Sequence, residues 1–346
     1  MNTPCLRPDS PPLPHMMPLC DTVRRRLSVL LVSYNTCHLL DECLAKLHQA
    51  LAQTPDAADT RIIAVDNASR DDSVAHLRAH HPEVLLLTSP RNVGFGRANN
   101  LALPQVDSEF LLLINTDAFL APESIRVALD HMAAHPRCGV LGVRLVGRDG
   151  TLQPSCRYFP TPANQFAERT GAYRWPLAHL WGRPVDDMAW DHASERRCDW
   201  VPGCFYLVRR EVLQQVGLFD PRFFLYFEEV DHCRRVQAAG WTIDYSPRTS
   251  VVHIGGESAR SDGPISSTSR QVEALQIESA LLYFRKHHGL GGLVLHLGLD
   301  GAAAGLLALK AALRGRGWAA IQHTLRLHAL AWRLLWRTKL GTQPTL

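Results

Sequence analysis

The chain lacks a Cys-x-x-Cys pair, an uninterrupted run of about 18 apolar residues, and any acidic residue after Asp300. Each absence excludes something. Nine cysteines without a close pair do not offer the spacing of a structural zinc site or a thioredoxin-like centre, so reduced thiols in a cytosolic protein are expected. The most apolar stretch, Leu290 to Leu313, is interrupted by His296, Asp300 and Lys310, which argues against a membrane-spanning helix. No segment repeats, and this sets solenoids aside. Nor is there a large charge excess: 37 basic and 33 acidic residues leave a net +4, which does not point to nucleic acid. What the chain does have is size and apolarity. Its 346 residues are 46% hydrophobic and 20% charged, enough to bury a large core and incompatible with intrinsic disorder throughout. Residues 1–26 carry Pro4, Pro8, Pro11, Pro12, Pro14 and Pro18 and end in Arg24-Arg25-Arg26. That order is the reverse of a secretory signal, and it reads as a disordered leader.

From Leu27, short apolar runs alternate with longer helical patterns, the rhythm of an α/β fold around a mostly parallel sheet. Strands are expected at Leu27 to Ser33, Ile62 to Asp66, Val84 to Thr88 and Phe110 to Ile114. Helices are expected at Asp41 to Leu51, Asp71 to His81 and Pro122 to His135. After about Gly150, prolines and scattered aromatics suggest long loops over the sheet. Regular structure should return with a strand at Trp200 to Val208, a helix at Glu229 to Ala239 and a strand at Val251 to His253. Beyond Ser279 the composition turns to Leu, Ala, Gly, Arg and Trp. On a helix from Ala319 to Arg337, Arg326, Arg333 and Arg337 share one face beside a stripe of Ile321, Leu325, Trp332 and Trp336. Such a helix could pack on the main domain or lie in a membrane interface. Three units follow: the leader 1–26, an α/β domain over 27–260, and a basic helical extension over 261–346.

Chemistry should collect where the strands end, since open α/β sheets bind ligands at their carboxyl edge. Ser33-Tyr34-Asn35 offers a ring for stacking and two hydrogen-bonding side chains, and Asp66-Asn67 could bind the edge and ribose of a nucleotide or simply build an Asx turn. Arg97 lies at a helix start after a Gly-x-Gly, where phosphate charge is favoured. The third glycine of a dinucleotide fingerprint is replaced there by Asn99, and the first strand-to-helix turn holds no glycine, which speaks against a nicotinamide dehydrogenase. Asn115-Thr116-Asp117 ends an apolar strand. Asp117 could hold a hard cation that already carries diphosphate oxygens, and His253, at another strand end, is a plausible second ligand for Mg²⁺ or Mn²⁺. Glu228, Glu229 and Asp231 follow an aromatic run at a helix start, and Glu229 is the candidate general base.

Taken in order, Val32-Ser33-Tyr34-Asn35, Val65-Asp66-Asn67-Ala68-Ser69, Asn92-Val93-Gly94-Phe95 through Asn99-Asn100, Asn115-Thr116-Asp117, Phe227-Glu228-Glu229-Val230-Asp231 and Val252-His253 resemble glycosyltransferase family 2, in particular its rhamnosyltransferase-like members. The resemblance implies a GT-A fold and an inverting, metal-dependent transfer of a sugar from a nucleoside-diphosphate donor, dTDP- or UDP-linked, to a hydroxyl of a glycan or lipid-linked acceptor in cell-surface polysaccharide synthesis. By that analogy Asp66 would bind the nucleobase or ribose, Asp117 and His253 the metal, and Glu229 would deprotonate the acceptor. Trp200, Pro202 and Gly203 match an acceptor-binding surface. Two positions depart from the pattern: Asn115 replaces the first aspartate of Asp-x-Asp, and Glu229 replaces the usual aspartate, leaving Asp231 able to share the role. The implied enzyme is cytoplasmic, with its basic tail suited to the inner face of a membrane. A catalytically inactive nucleotide-sugar-binding or scaffold protein on the same fold is the alternative.

Overall fold

In the computed structural model, which describes residues 19–175, 178–255, 270–315 and 318–346, the apolar runs assemble into one sheet of ten strands. The first half of the chain runs β1 (Arg25–Ser33), α1 (Cys37–Ala52), β2 (Arg61–Asp66), α2 (Ser73–His80), β3 (Leu85–Thr88), α3 (Phe95–Leu101), β4 (Ser108–Asn115), β5 (Ala118–Leu120), α4 (Ser124–Ala134) and β6 (Cys138–Val146). It continues with β7 (Leu152–Gln153), α5 (Pro162–Thr170), β8 (Arg196–Arg197), β9 (Phe205–Arg209), α6 (Arg210–Val216), α7 (Glu228–Ala238) and β10 (Thr242–His253). Two helices close it, α8 (Arg270–Leu313) and α9 (Trp318–Arg337).

The main path of the sheet is β3-β2-β1-β4-β9-β6-β10-β5. β3, β2, β1 and β4 are parallel neighbours, β9 is antiparallel to both β4 and β6, and β10 is parallel to β6 and antiparallel to β5. The period of two along β1 sends Leu27, Val29 and Leu31 to the face covered by Leu40, Leu44 and Leu47 of α1. Leu30 goes to the opposite face, into a core with Val230, Cys233 and Val236 of α7. Because the parallel strands all run one way, Ser33, Asp66 and Asn115 end at the same edge, Ser33 opposite Asp66 and Asn115 opposite Val32.

Several expectations need correction. The leader is shorter at its described end: β1 begins at Arg25, where Arg25 pairs with Asp107 and Arg26 with Glu109, whereas residues 1–18 lie outside the described part. Strand β6 was not anticipated, nor was α5, although Thr161 and Asn164 form a reciprocal capping box around Pro162 at its start. The strand expected over Trp200 to Val208 starts later and ends one residue further on, at Phe205–Arg209. The short strand at Val251 is the end of the long β10.

The C-terminal extension behaves in two ways. Gly289 (φ 67°, ψ −169°) breaks α8 into limbs of residues 270–288 and 290–313. In the first limb, Ser279 donates to the Leu225 carbonyl at 2.9 Å and the Tyr283 ring lies 5.1 Å from Phe227. That limb is part of the main body. The second limb and α9 expose Val294, Leu295, Leu309, Trp318, Leu325, Trp332 and Trp336, the last two at 45% and 70%. α8 is also long and apolar enough to cross a membrane by length and composition, with an 18-residue window of mean hydropathy 1.6 of which 22% is buried. The interrupting residues turn toward the rest of the molecule: His296 stacks on Phe284 at 4.0 Å, Asp300 pairs with Arg169, and Lys310 donates to the Thr170 carbonyl at 3.1 Å, so this limb is packed on α5 along one face.

Candidate functional site

A cavity of about 300 Å³ opens at the carboxyl edge of β1 and β4, bounded by Tyr34, Asn67, Asn115, Asp117, Glu229 and His253. Backbone geometry brings these residues in from four strands and one helix start. Asn67 fixes the neighbouring loop: its Oδ1 accepts from the Val93 amide at 2.9 Å and its Nδ2 donates to Asn92 Oδ1 at 3.0 Å. Gly94 (φ +88°) then passes so close to the loop before α7 that an added Cβ would sit 2.2 Å from the Phe224 carbonyl oxygen. Phe95 donates to that same oxygen at 2.9 Å. A glycine is needed there both for the left-handed backbone and for the space.

Asp117 and His253 face one another with Oδ1 and Nε2 3.6 Å apart. Gln153 settles the imidazole: its Nε2 donates to the His253 carbonyl at 2.7 Å, so its Oε1, 2.9 Å from Nδ1, must accept the Nδ1 proton. The Nε2 lone pair is left for the cavity, the arrangement a metal-binding histidine requires. Burial lowers the His253 pKa against the pull of Asp117, keeping the ring neutral. The other Asp117 oxygen accepts from the Gly255 amide at 3.1 Å. Asn115 Oδ1 is buried without a partner. Neutral imidazole, carboxylate and an unpaired amide oxygen form a donor set that fits Mg²⁺ or Mn²⁺ with diphosphate and water completing the shell. Among the described residues, groups of three or more potential metal ligands occur only elsewhere, at Asp41, His76 and His81 and at His131, Cys138 and Asp244.

The acids at the start of α7 are aimed by an uncommon turn. Tyr226 (φ 70°) and Phe227 (φ 67°) are consecutive left-handed residues without being glycine, a strained conformation of the kind found at functional sites. Glu228 and Glu229 both line the cavity, and each has a buried Oε2 without a hydrogen-bond partner. Burial, reinforced by the Glu229 charge, pushes Glu228 well above the carboxylate range. Glu229 is raised less, by burial, with its own backbone amide and the Arg157 charge opposing. Such a pair can keep one carboxyl protonated and the other an ionised base of increased strength.

Asp231 is placed elsewhere. It is 0% exposed and bonded to Arg235 at 2.9 Å, Lys286 at 2.5 Å and His287 at 2.6 Å. Two helical steps of about 100° each carry its direction away from that of Glu229, so it lies outside the cavity lining and docks α7 on α8. Arg97 is a second correction: it donates to the carbonyls of Pro221 at 2.6 Å and Leu346 at 3.1 Å, away from the cavity. Ser33 Oγ bonds Thr36, and Asn35 Oδ1 accepts from the Arg70 amide at 2.7 Å, so both shape the loop at the carboxyl edge of β1 without lining the cavity. Asp66 Oδ1 accepts from the Ser69 amide at 3.0 Å, its Oδ2 buried and unpartnered beside the same edge. Gly203 borders the cavity, whereas Trp200 lies in a neighbouring one, its indole donating to the Tyr158 carbonyl at 2.9 Å. Gln153 and Tyr226 were not anticipated. No motif marks Gln153, whose loop has no period, but the aromatic run before Glu228 does mark Tyr226.

Residues 28–232 match the family model described as glycosyl transferase family 2. The chain is 30% identical over 251 residues to the N-acetylglucosaminyl-diphospho-decaprenol L-rhamnosyltransferase of Mycobacterium tuberculosis, covering 68% of this chain and 78% of that one. It is 24% identical over 214 residues to the rhamnosyltransferase WbbL of Escherichia coli K12, covering 58% of this chain and 75% of the relative. Among solved structures it is similar in fold to the mannosyltransferase PcManGT from Pyrobaculum calidifontis, in complex with GDP-Man and Mn²⁺, with a TM-score of 0.52 at 18% identity over 94% of this chain and 90% of the other.

Proposed function

The chain belongs to glycosyl transferase family 2, and from that footing we propose that it is an inverting, metal-dependent rhamnosyltransferase. Its donor would be a nucleoside-diphosphate rhamnose and its acceptor a hydroxyl of an N-acetylglucosaminyl diphospho-polyprenol. The support for donor and acceptor is the relative in Mycobacterium tuberculosis, whose name states both sugars and the lipid. The observation that carries the chemistry is the meeting of Asp117, His253 and Glu229 in one cavity.

Asp117 and His253 would hold a divalent cation, and when bound it supplies positive charge against the leaving diphosphate. Tyr34 and Asn67 bound the space for the nucleoside, with Asp66 behind them at the same strand edge. Glu229 takes the proton from the acceptor hydroxyl as that oxygen forms its bond to the anomeric carbon. The bond from that carbon to the diphosphate oxygen breaks on the opposite face, and a single displacement inverts the centre. Glu228, its pKa pushed up by burial, leaves Glu229 as the ionised member of the pair of glutamates that line the cavity. The 27–260 unit with the first limb of α8 would be the catalytic body. The exposed tryptophans of α9, with Arg326, Arg333 and Arg337, would lie against the anionic inner face of the membrane where such an acceptor is presented.

The test is a panel of nucleotide sugars offered to the purified full chain with Mn²⁺, read by thermal stabilisation and by transfer to a synthetic N-acetylglucosaminyl diphosphate lipid. Stabilisation by dTDP-rhamnose together with transfer supports the reading. Binding of a donor without turnover on any acceptor would favour an inactive sugar-nucleotide-binding protein.

A further inference from the structure

A second cavity, of about 490 Å³, lies on the other side of Glu229, between α7 and the C-terminal helices. Tyr226 and Glu229 border both cavities. One wall of the second is Trp200 with Arg157, whose guanidinium lies 4.2 Å over the indole and is bidentate to Asp186. The facing wall comes from α8 and α9, through Gln276, His296, Asp300 and Ala331. We propose that this space seats the acceptor's sugar ring, so that the C-terminal helices complete the acceptor site; the inference rests on the transferase reading above.

Three features argue for a neutral, hydroxyl-rich ring. The volume falls within the roughly 300–1,000 Å³ of small-ligand sites. The polar groups are planar and held in place: Arg157 by Asp186, and Arg169 by Asp300, which also accepts from His328 at 2.7 Å. Fixed donors and acceptors of both kinds suit sugar hydroxyls, which donate and accept at once. Each arginine of the wall is already paired, Arg157 with Asp186 and Arg169 with Asp300, and Glu229 adds a carboxyl group, which disfavours a diphosphate as the occupant. Glu229, with its unpartnered Oε2, stands at the junction, where a hydroxyl from this side meets an anomeric carbon from the other. The wall is also tied to the chemistry, since Ser279 holds the Leu225 carbonyl and α8 is locked to α7 through Asp231. On the second limb of α8, His296 and Asp300 face inward while Val294 and Leu295 are exposed at 61% and 55%. A sugar in the cavity therefore leaves its lipid beside an apolar outer surface.

The experiment uses the full chain with a synthetic short-chain N-acetylglucosaminyl diphosphate lipid. Gln276→Ala removes a polar group from the wall, and Ala331→Phe fills the space from α9 without changing charge. Each should raise the acceptor KM about tenfold or more, while the donor Kd, measured by titration, stays within about twofold of wild type. Wild-type acceptor KM in both variants, with donor binding intact, overturns this inference alone. If the wild-type chain binds no nucleotide sugar, the transferase reading fails and this inference falls with it.

Discussion

Replacing Asp231 with asparagine should cost stability first and chemistry second. The carboxylate is fully buried and meets Arg235, Lys286 and His287 within 2.9 Å. Burial alone would raise its pKa, yet the His287 hydrogen bond and the charges of Arg235 and Lys286 hold it far below the usual carboxylate range. Removing one partner from a buried pair leaves the cations uncompensated, which typically costs about 3–5 kcal/mol. At roughly 2–4 °C per kcal/mol for a domain of this size, the melting temperature should fall by roughly 10 °C. Asp220 adds a pH arm: burial would raise it, but Arg222 and Lys286 bring it from 3.8 to about 2, a contribution of about 2 kcal/mol by linkage. Because both folded pKa values are depressed, this stability is present above pH of about 4 and is lost as pH falls below it. The assay is denaturant unfolding at pH 7 and at acid pH, beside donor titration and turnover well below the melting temperature. Asp231→Asn should unfold at lower denaturant, show less loss on acidification than wild type, and retain turnover within about tenfold. Wild-type stability with abolished turnover would refute the docking role and return Asp231 to the chemistry.

Other consequences are equally direct. Asp117→Asn and His253→Ala should each abolish the response of donor binding to Mn²⁺, read by titration with and without EDTA; unchanged binding in EDTA for wild type contradicts the cation's role. Gly94→Ala forces a Cβ to within 2.2 Å of a carbonyl oxygen at φ +88°, and should lower stability by about 1–3 kcal/mol and displace the Phe224 loop; a wild-type melting temperature would contradict the packing. Since Glu229 is raised by burial and acts ionised, turnover should fall on acidification at a pH above that of an ordinary glutamate near 4.3, and a midpoint at or below 4.3 would contradict it. The full chain should co-sediment with anionic vesicles at low salt and a chain truncated before Gly291 should not. Equal recovery in the supernatant would leave the helices as ordinary structure.

Much of this was legible because the parallel half of the sheet obeys local rules. Continuous apolar runs mark β1, β2 and β4, and their common direction puts Tyr34, Asn67 and Asn115 at one edge. The family likeness carried by motifs from Val32 to His253 is matched by a family model over residues 28–232, which stops short of the last of them. Local signals failed where tertiary context decides. Arg97 lies in the first turn of α3, beside the carboxyl edge of the sheet, but the helix rotates its side chain toward Pro221. Asp231 is only two residues from Glu229, yet the 100° step of a helix sends it toward Lys286, more than 50 residues later in the chain. Gln153, which orients His253, comes from a two-residue strand without period. The inward turn of His296 and Asp300 depends on where α8 lies, and composition says nothing of that.

The most direct test of the central claim, that Glu229 is the base at the junction of two substrate cavities, compares Glu229→Gln with Glu228→Gln in single-turnover transfer from dTDP-rhamnose. Donor titration on the same proteins separates binding from chemistry. Glu229→Gln should bind donor as wild type does and lose roughly two to four powers of ten in rate, while Glu228→Gln, mimicking a carboxyl already protonated, should lose far less. A Glu229→Gln enzyme that transfers sugar within a few-fold of the wild-type rate would contradict the account.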